Sequence, residues 1–387
     1  MAAFVRVKPL GADPGGGVAS GKRLAGWDAA AGTLEMEVGA KPGAMGRGGA
    51  GGKVFDFPRA TLPPEATQQH VYDTIAAPLV VKFCEGYDVD LVSYGQTGAG
   101  KTFTMFGPPH SMAEAAAAQR KSGAATGVSG DGFLMPEHGF VLRSGLDCLV
   151  AVRALEARGC KAVLHGSMIE MSITSFTDQT CKDMLADMAS CFVDDAFHLQ
   201  GAHQMELTCA ADVVQLAAAA ETRLTRGTRM NDTSSRSHCV ALLKLTVLEG
   251  DQVRESRLQF FDLMGSERFI GQNAAHDTSQ SSKSSASGWE GIFSNLSLMC
   301  LYSCIELAAK ERKKKGTPKP SKSMIGMLLT KLLAGSLQVR MLLLLLLLLQ
   351  LLLQLPLFVL TSLRQGSALT GMITCISQSP RNGDQSD

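Results

Sequence analysis

The run VDLVSYGQTGAGKTFTM, residues 89–105, constrains this chain more than any other stretch. Gly95 to Thr102 fit the spacing G-x-x-x-x-G-K-[ST], in which small residues let successive backbone N–H groups curl around phosphate oxygens. At that spacing Lys101 reaches the terminal phosphates and Thr102 offers a hydroxyl to magnesium. Such a loop needs a strand to deliver it and a helix to follow, whose N-terminal end adds positive charge. LVSY reads as the buried strand and FTMF as the helix start. The motif alone leaves a kinase, a GTPase, an ATPase or a motor open.

The rest of the chain reads as a layered sheet with helices on its faces. Strand patterns recur at AFVRVKP, LEMEV, KVFDF, VDLVSY, HGSMIEMSI, VALLKLTV, SRLQFFD and GMITCIS. Helical spacing is clearest in TQQHVYDTIAAPLVVKFCEG, VLRSGLDCLVAVRALEARG, AADVVQLAAAAETRLTRG and NLSLMCLYSCIELAAKER. Low-complexity stretches at 43–52, 113–132 and 276–288 read as mobile surface loops, since strand and helix signals resume directly after each. With 19% charged residues and a net charge of +1, no global field draws the chain to nucleic acid or an anionic membrane. The 10 cysteines include no CxxC pair, so buried thiols are expected rather than a metal site. The start MAAFVRVKPL has no signal-peptide pattern, which makes a reducing cytoplasmic setting the default.

Two further segments narrow the chemistry. LQFFDLMGSER sets Asp262 at the end of an apolar strand, where a carboxylate holds a water on magnesium, and follows it with Gly265, whose backbone N–H approaches a terminal phosphate. RMNDTSSRSH crowds Asn231, Ser234, Ser235, Arg236 and His238 into one polar stretch. In chain order GQTGAGKT, NDTSSRSH and DLMGSER resemble the phosphate loop, switch I and switch II of kinesin motor domains. The resemblance extends through VRVKP at 5–9, TQQHVYDTIAAPLVVKFCEGYDVDLVSYGQTG, EGIFSNLSL at 290–298, LLTKLLAGSL at 328–337 and MITCISQSPRN.

That resemblance implies a kinesin-type P-loop NTPase head over residues 1–387, an α/β fold with a mixed, mostly parallel eight-stranded sheet and helices on both faces. It implies magnesium-dependent hydrolysis of ATP, stimulated by microtubules, in the cytoplasm and at the cytoskeleton. Position by position, Gly95, Gln96, Thr97, Gly98, Ala99, Gly100, Lys101, Thr102 and Asn231 would hold the nucleotide, with Arg6, Pro9 and Tyr72 framing its adenine. Thr102, Ser235 and Asp262 would serve magnesium (Mg2+), Ser234 the attacking water and Gly265 the γ-phosphate. Glu267 would pair with Arg236 to close the site.

ERKKKGTPKPSK at 311–322 stands where the family carries a basic loop facing acidic tubulin. Departures from the family pattern are Lys8 for arginine, PKPSK for HxPYR, Leu296 for a lysine, and SMIEMSITSFTDQTCKDML, which keeps only Glu170 and the strand beginning of its segment. They leave a second reading, a catalytically weak, nucleotide-gated microtubule-binding module. A third, a membrane-anchored P-loop protein, rests on MLLLLLLLLQLLLQLPLFVL at 341–360, long enough to cross a bilayer as a helix. Its flanks resemble a helix and a strand of one core, so it reads instead as an insertion, 338–366, and membrane crossing is not expected. Partners are expected to be tubulin and no nucleic acid. No heptad run is present from which to read an oligomer.

Overall fold

The computed structural model describes residues 2–7, 23–28, 33–38, 51–56, 60–63, 65–95, 97–122, 134–173, 179–194, 198–223, 237–266, 296–305, 327–333 and 369–376. Elements are numbered along the chain. The apolar run at 89–94 forms β6 (Val89–Tyr94), and its neighbours on both sides run parallel to it: β13 (Gln252–Asp262) and β14 (Leu369–Ile376). Beyond β14 come β1 (Ala2–Val7) and then β5 (Ala60–Leu62), also parallel. Neighbours on both sides and cover on both faces leave β6 buried at nearly every position rather than at alternate ones.

On the other flank the sheet turns antiparallel. β13 pairs with β12 (Ser237–Glu249), which pairs with β7 (Lys161–Ile173). β8 (Gln179–Asp183), β9 (Ala189–Val193) and β10 (Leu199–Gln200) follow outward, and β11 (Met205–Glu206) rides on β7. Among the described residues the sheet has eleven strands, and those of five residues or more number eight, as expected. The balance differs from the expected mostly parallel one. Only the ladders around β6, β14 and β1 are parallel, because β12–β13 is a hairpin with a two-residue turn and β7–β8–β9 is a meander.

All eight strand patterns are strands, but LEMEV and KVFDF belong elsewhere. β3 (Thr33–Val38) and β4 (Gly51–Asp56) join β2 (Arg23–Asp28) in a separate three-stranded antiparallel sheet.

One face of the large sheet is covered by α1 (Gln68–Ile75), α2 (Ala77–Cys84), α3 (Lys101–Phe106), α5 (Phe140–Ala157) and α6 (Ala210–Ala219). The other carries the helical residues 296–305 and 328–333. Period-two alternation sorts the strands between them: Cys239, Ala241, Leu243 and Leu245 of β12 enter the first core, Val240 the second. Phe83 and Phe260 on one side and Phe261 on the other are fully buried, each contributing about 1.5–3 kcal/mol.

The segment expected as one helix, TQQHVYDTIAAPLVVKFCEG, is two. Thr67 caps α1, its Oγ1 accepting the His70 N–H at 3.1 Å, and the chain bends at Ala76 because Pro78 lies in the first turn of α2, where its missing N–H costs nothing. The loop expected at 113–132 begins as helix instead: α4 (Ser111–Ser122) takes up its alanine-rich first half, alanine being the strongest helix former. Of the stretch at 43–52, Gly51 and Gly52 open β4. The expected loop at 276–288 and the leucine-rich insertion 338–366 lie outside the described residues. Among the described residues no helix is long and apolar enough to cross a membrane.

Candidate nucleotide site

The loop 95–100 leaves the C-terminal end of β6 in the middle of the sheet, where two parallel neighbours hold it. Gly100 caps α3 in the left-handed region, φ 99°, and Gly98 has φ 80°, conformations that a side chain makes costly. Lys101 is buried, and its Nζ donates to the Gly95 carbonyl at 2.7 Å, so its charge faces the loop interior.

The strand beside β6 supplies the carboxylate. Asp262, at the last position of β13, is 1% exposed. Its Oδ2 accepts the Thr102 hydroxyl at 2.8 Å, and its Oδ1 lies 3.5 Å from Ser93 Oγ. A hydroxyl and a carboxylate oxygen side by side, next to a phosphate-type loop, are a donor set suited to Mg2+, a hard cation that binds few protein oxygens and keeps several waters. Among the described residues no group of three or more His, Cys, Asp or Glu converges as a metal cage.

Arg223, just beyond α6, is a site residue that the sequence reading missed. Its guanidinium bonds Asp262 Oδ2 at 3.3 Å, lies 3.6 Å from Glu170 Oε1, and donates to the carbonyl and, at 3.2 Å, the hydroxyl of Ser237. Ser237 in turn donates to Glu170 at 2.6 Å. Glu170 and Asp262 flank Cys239 in register across β7, β12 and β13, so three strands present one row to Arg223. Burial pushes the Cys239 thiol up to about 12, and it stays protonated between them. An arginine among the several of ETRLTRGTR carries no motif; only the paired carboxylates, far apart in sequence, mark it.

The segment after β13 is held from two sides. The Ser266 N–H donates to the Gly95 carbonyl at 3.1 Å, tying it to the loop, and Gly265 sits one residue earlier. The Met264 N–H donates to His238 Nδ1 at 3.3 Å, which leaves the proton on Nε2 to donate to Ser297 Oγ at 2.8 Å. His238 therefore bridges this segment to the helical residues 296–305 on the far face. Burial, and then the charges of Arg223 and Lys101, lower its pKa to about 3, so the ring is neutral.

Arg6 and Tyr72 serve the scaffold in their described contacts. Arg6 donates to Gln68 Oε1 and, at 2.8 Å, to Thr104 Oγ1, with its guanidinium 5.3 Å from the Phe103 ring centre. It thereby anchors β1 to the helix that follows the loop. Tyr72 was expected beside an adenine, but it is buried edge-on against Phe140 at 5.7 Å and donates to Asp147 of α5. Its apolar neighbours on the helical register of α1 explain this: Val71, Tyr72 and Ile75 form the inner face of that helix. Thr97 and Gly98 are exposed and Ala99 buried within the loop. Pro9, Gln96, Asn231, Ser234, Ser235, Arg236 and Glu267 lie outside the described residues, as does the basic segment 311–322. A larger cleft, lined among others by Asp88, Lys244, Arg257 and Gln259, opens on the opposite face of the sheet from the Arg223 cluster.

Comparison with known proteins agrees with this geometry. A family model described as the kinesin motor domain matches residues 46–347. A kinesin-like protein of Leishmania chagasi is 30% identical over 239 residues, 55% of this chain and 22% of that protein. The kinesin-like protein KIN-14N of Oryza sativa subsp. japonica is 28% identical over 262 residues, 64% of this chain and 29% of the relative. The matched part is thus less than a third of either relative's own length. Among solved structures, a fast kinesin superposes with a TM-score of 0.65 at 18% identity, covering 100% of this chain and 88% of that one. This shared architecture, together with the family match over most of its length, shows that the chain belongs to the kinesin motor-domain family.

Proposed function

We propose that this chain is an ATP-hydrolysing, Mg2+-dependent motor head whose nucleotide state governs its hold on microtubules. The observation that carries the reading is the convergence at the end of β6: Thr102 bonded to Asp262, Lys101 folded over Gly95, and the Ser266 N–H on that same carbonyl. Phosphoryl transfer needs chiefly positioning and charge stabilisation, and these groups supply both. Bound Mg2+ would neutralise phosphate charge, held by Thr102 and Ser235 directly and by Asp262 through water. Loop residues Gly95 to Gly100 wrap the phosphates, Lys101 offsets charge on the β- and γ-oxygens, and Arg6, Pro9 and Asn231 line the rest of the nucleotide. Ser234 orients the attacking water, the Gly265 N–H reads the γ-phosphate, and Arg236 with Glu267 closes the site.

Support for the filament side comes from the sequence at 311–322, whose lysines suit an acidic protein surface, and from the names of the relatives. The whole of 1–387 forms one such head in this reading, working at the cytoskeleton. The replacement of HxPYR by PKPSK and of a lysine by Leu296 favours, as a second reading, a nucleotide-gated microtubule-binding module with weak turnover. Co-sedimentation with microtubules in ATP, ADP and a non-hydrolysable ATP analogue, alongside phosphate release with and without microtubules, tests both. Nucleotide-dependent binding with stimulated phosphate release is expected. Nucleotide-dependent binding without turnover selects the second reading, and binding indifferent to nucleotide removes both.

A further inference from the structure

β8 and β9 place Cys181 directly opposite Cys191 in an antiparallel ladder, with the two sulfurs 2.9 Å apart. Residues opposed in such a ladder have Cα atoms about 4.5–5.5 Å apart, inside the range a disulfide spans. Both are free thiols, 4% and 7% exposed. The two sulfurs share one hydrogen bond, which pushes the Cys181 thiol up and holds the Cys191 thiol below the usual cysteine range. Each sulfur is therefore within reach of the other once one of them is oxidised.

We propose that Cys181 and Cys191 are an oxidisable dithiol site that peroxides convert to a cross-strand disulfide ahead of the other cysteines of the chain. One of the two sulfurs, as thiolate, attacks one peroxide oxygen, the O–O bond breaks, and that cysteine becomes a sulfenic acid while the departing hydroxide takes up the proton the thiol released and leaves as water. The other sulfur then attacks the oxidised one, the S–O bond breaks, and its proton leaves with that hydroxyl as a second water. Two thiols and one hydrogen peroxide give one disulfide and two waters, the peroxide accepting two electrons. A second thiol pair, Cys84 and Cys148, joins α2 to α5 with the same pattern, Cys148 wholly buried and pushed well up and Cys84 half-buried and lowered, but these two stand on helices with no ladder to set them face to face.

The site sits beneath the helical residues 328–333 rather than at a bare edge. Cys181 and Cys191 share an apolar cluster with Leu329, Leu332 and Leu333, and Gln179 Oε1 of β8 accepts the Leu328 N–H at 2.8 Å. Joining β8 to β9 fixes the platform on which residues 328–333 rest. This inference needs neither nucleotide nor filament, so it stands or falls apart from the proposed function.

The test treats the reduced full-length chain with equimolar hydrogen peroxide, blocks remaining thiols with N-ethylmaleimide and maps the digest by mass spectrometry. The expected product is two hydrogens lighter, links Cys181 to Cys191 and carries alkylated cysteines elsewhere, with amide exchange across 189–193 slowed about tenfold. Both cysteines alkylated at a dose that oxidises other thiols, or joined to other partners, overturns the proposal. In Cys181→Ser and in Cys191→Ser, dimedone should trap a sulfenic acid at the cysteine that remains. Trapping in neither overturns the sulfenic-acid route, and the wild-type map decides the site even where a variant folds poorly.

Discussion

The buried His238 gives acid stability a sharp, single-residue component. Its ring is 1% exposed, accepts the Met264 N–H, donates to Ser297, and faces the charges of Arg223 and Lys101, which with burial bring its pKa to about 3. In the unfolded chain a histidine titrates near about 6.5. Because the folded value is the lower one, the unfolded state takes up the proton first. The stability from keeping the ring neutral is whole above pH ~6.5 and drains away as the pH falls toward ~3. Each pH unit in that window costs about 1.4 kcal/mol, so at pH 4.5 the wild type has lost about 2–3 kcal/mol through this residue alone. His238→Gln keeps a donor and an acceptor but has no proton to gain. Urea unfolding of both proteins at pH 7.5 and pH 4.5 measures the difference, with all other titrating groups common to the pair. The wild type should lose about 2–3 kcal/mol more than the variant. Parallel losses, or a larger loss in the variant, would refute a buried neutral imidazole.

Removing a cation from the carboxylate row should be costly: Arg223→Met is expected to destabilise by about 3–5 kcal/mol, mostly through Asp262, the nearer and more buried partner, and Arg223→Met with Asp262→Asn should recover much of it. Urea midpoints decide this, and a loss under about 1 kcal/mol for the single variant counts against the cluster as a structural unit. Lys101→Ala should abolish phosphate release, since it deletes the loop's buried ammonium; near-wild-type turnover would end the proposed role. Ser297→Ala takes away the acceptor of His238 Nε2 and should speed exchange of the Met264 amide by about tenfold, read by hydrogen-exchange mass spectrometry, with Ser297→Thr restoring protection. Unchanged exchange in Ser297→Ala would show that the ring needs no partner there.

What could be read from the chain, and what could not, follows from the range of the forces involved. The unit β6–loop–α3 was legible because its strand, its glycines and Lys101 are contiguous, and Asp262 because an apolar run ends in it. β8 escaped notice: QTCKD has no apolar alternation, and it is a strand because β7 offers it a partner. The alanine-rich start of 113–132 was taken for loop on composition, although its residues individually favour the helix that forms. Arg223 was invisible because its meaning lies in Glu170 and Asp262, which only the folded sheet brings to it. Tyr72 fits a family pattern at one end of a helix, yet the 3.6-residue register turns it toward α5.

The placement of β14 carries a consequence for how the protein is made. Of the described strands it is the last along the chain, yet it is inserted between β6 and β1, inside the sheet rather than at its edge. Residues 369–376 pair with 89–94, so the strand that presents the phosphate-type loop lacks one neighbour until nearly all the intervening chain has left the ribosome. Until then β1, with Arg6 waiting to grip Thr104, has no ladder to join it to β6. Contacts of such long sequence separation are slow to form. A nascent chain cut short before residue 369 would expose the unpaired side of β6 as a sticky edge, which makes the partly synthesised head a natural client for chaperones.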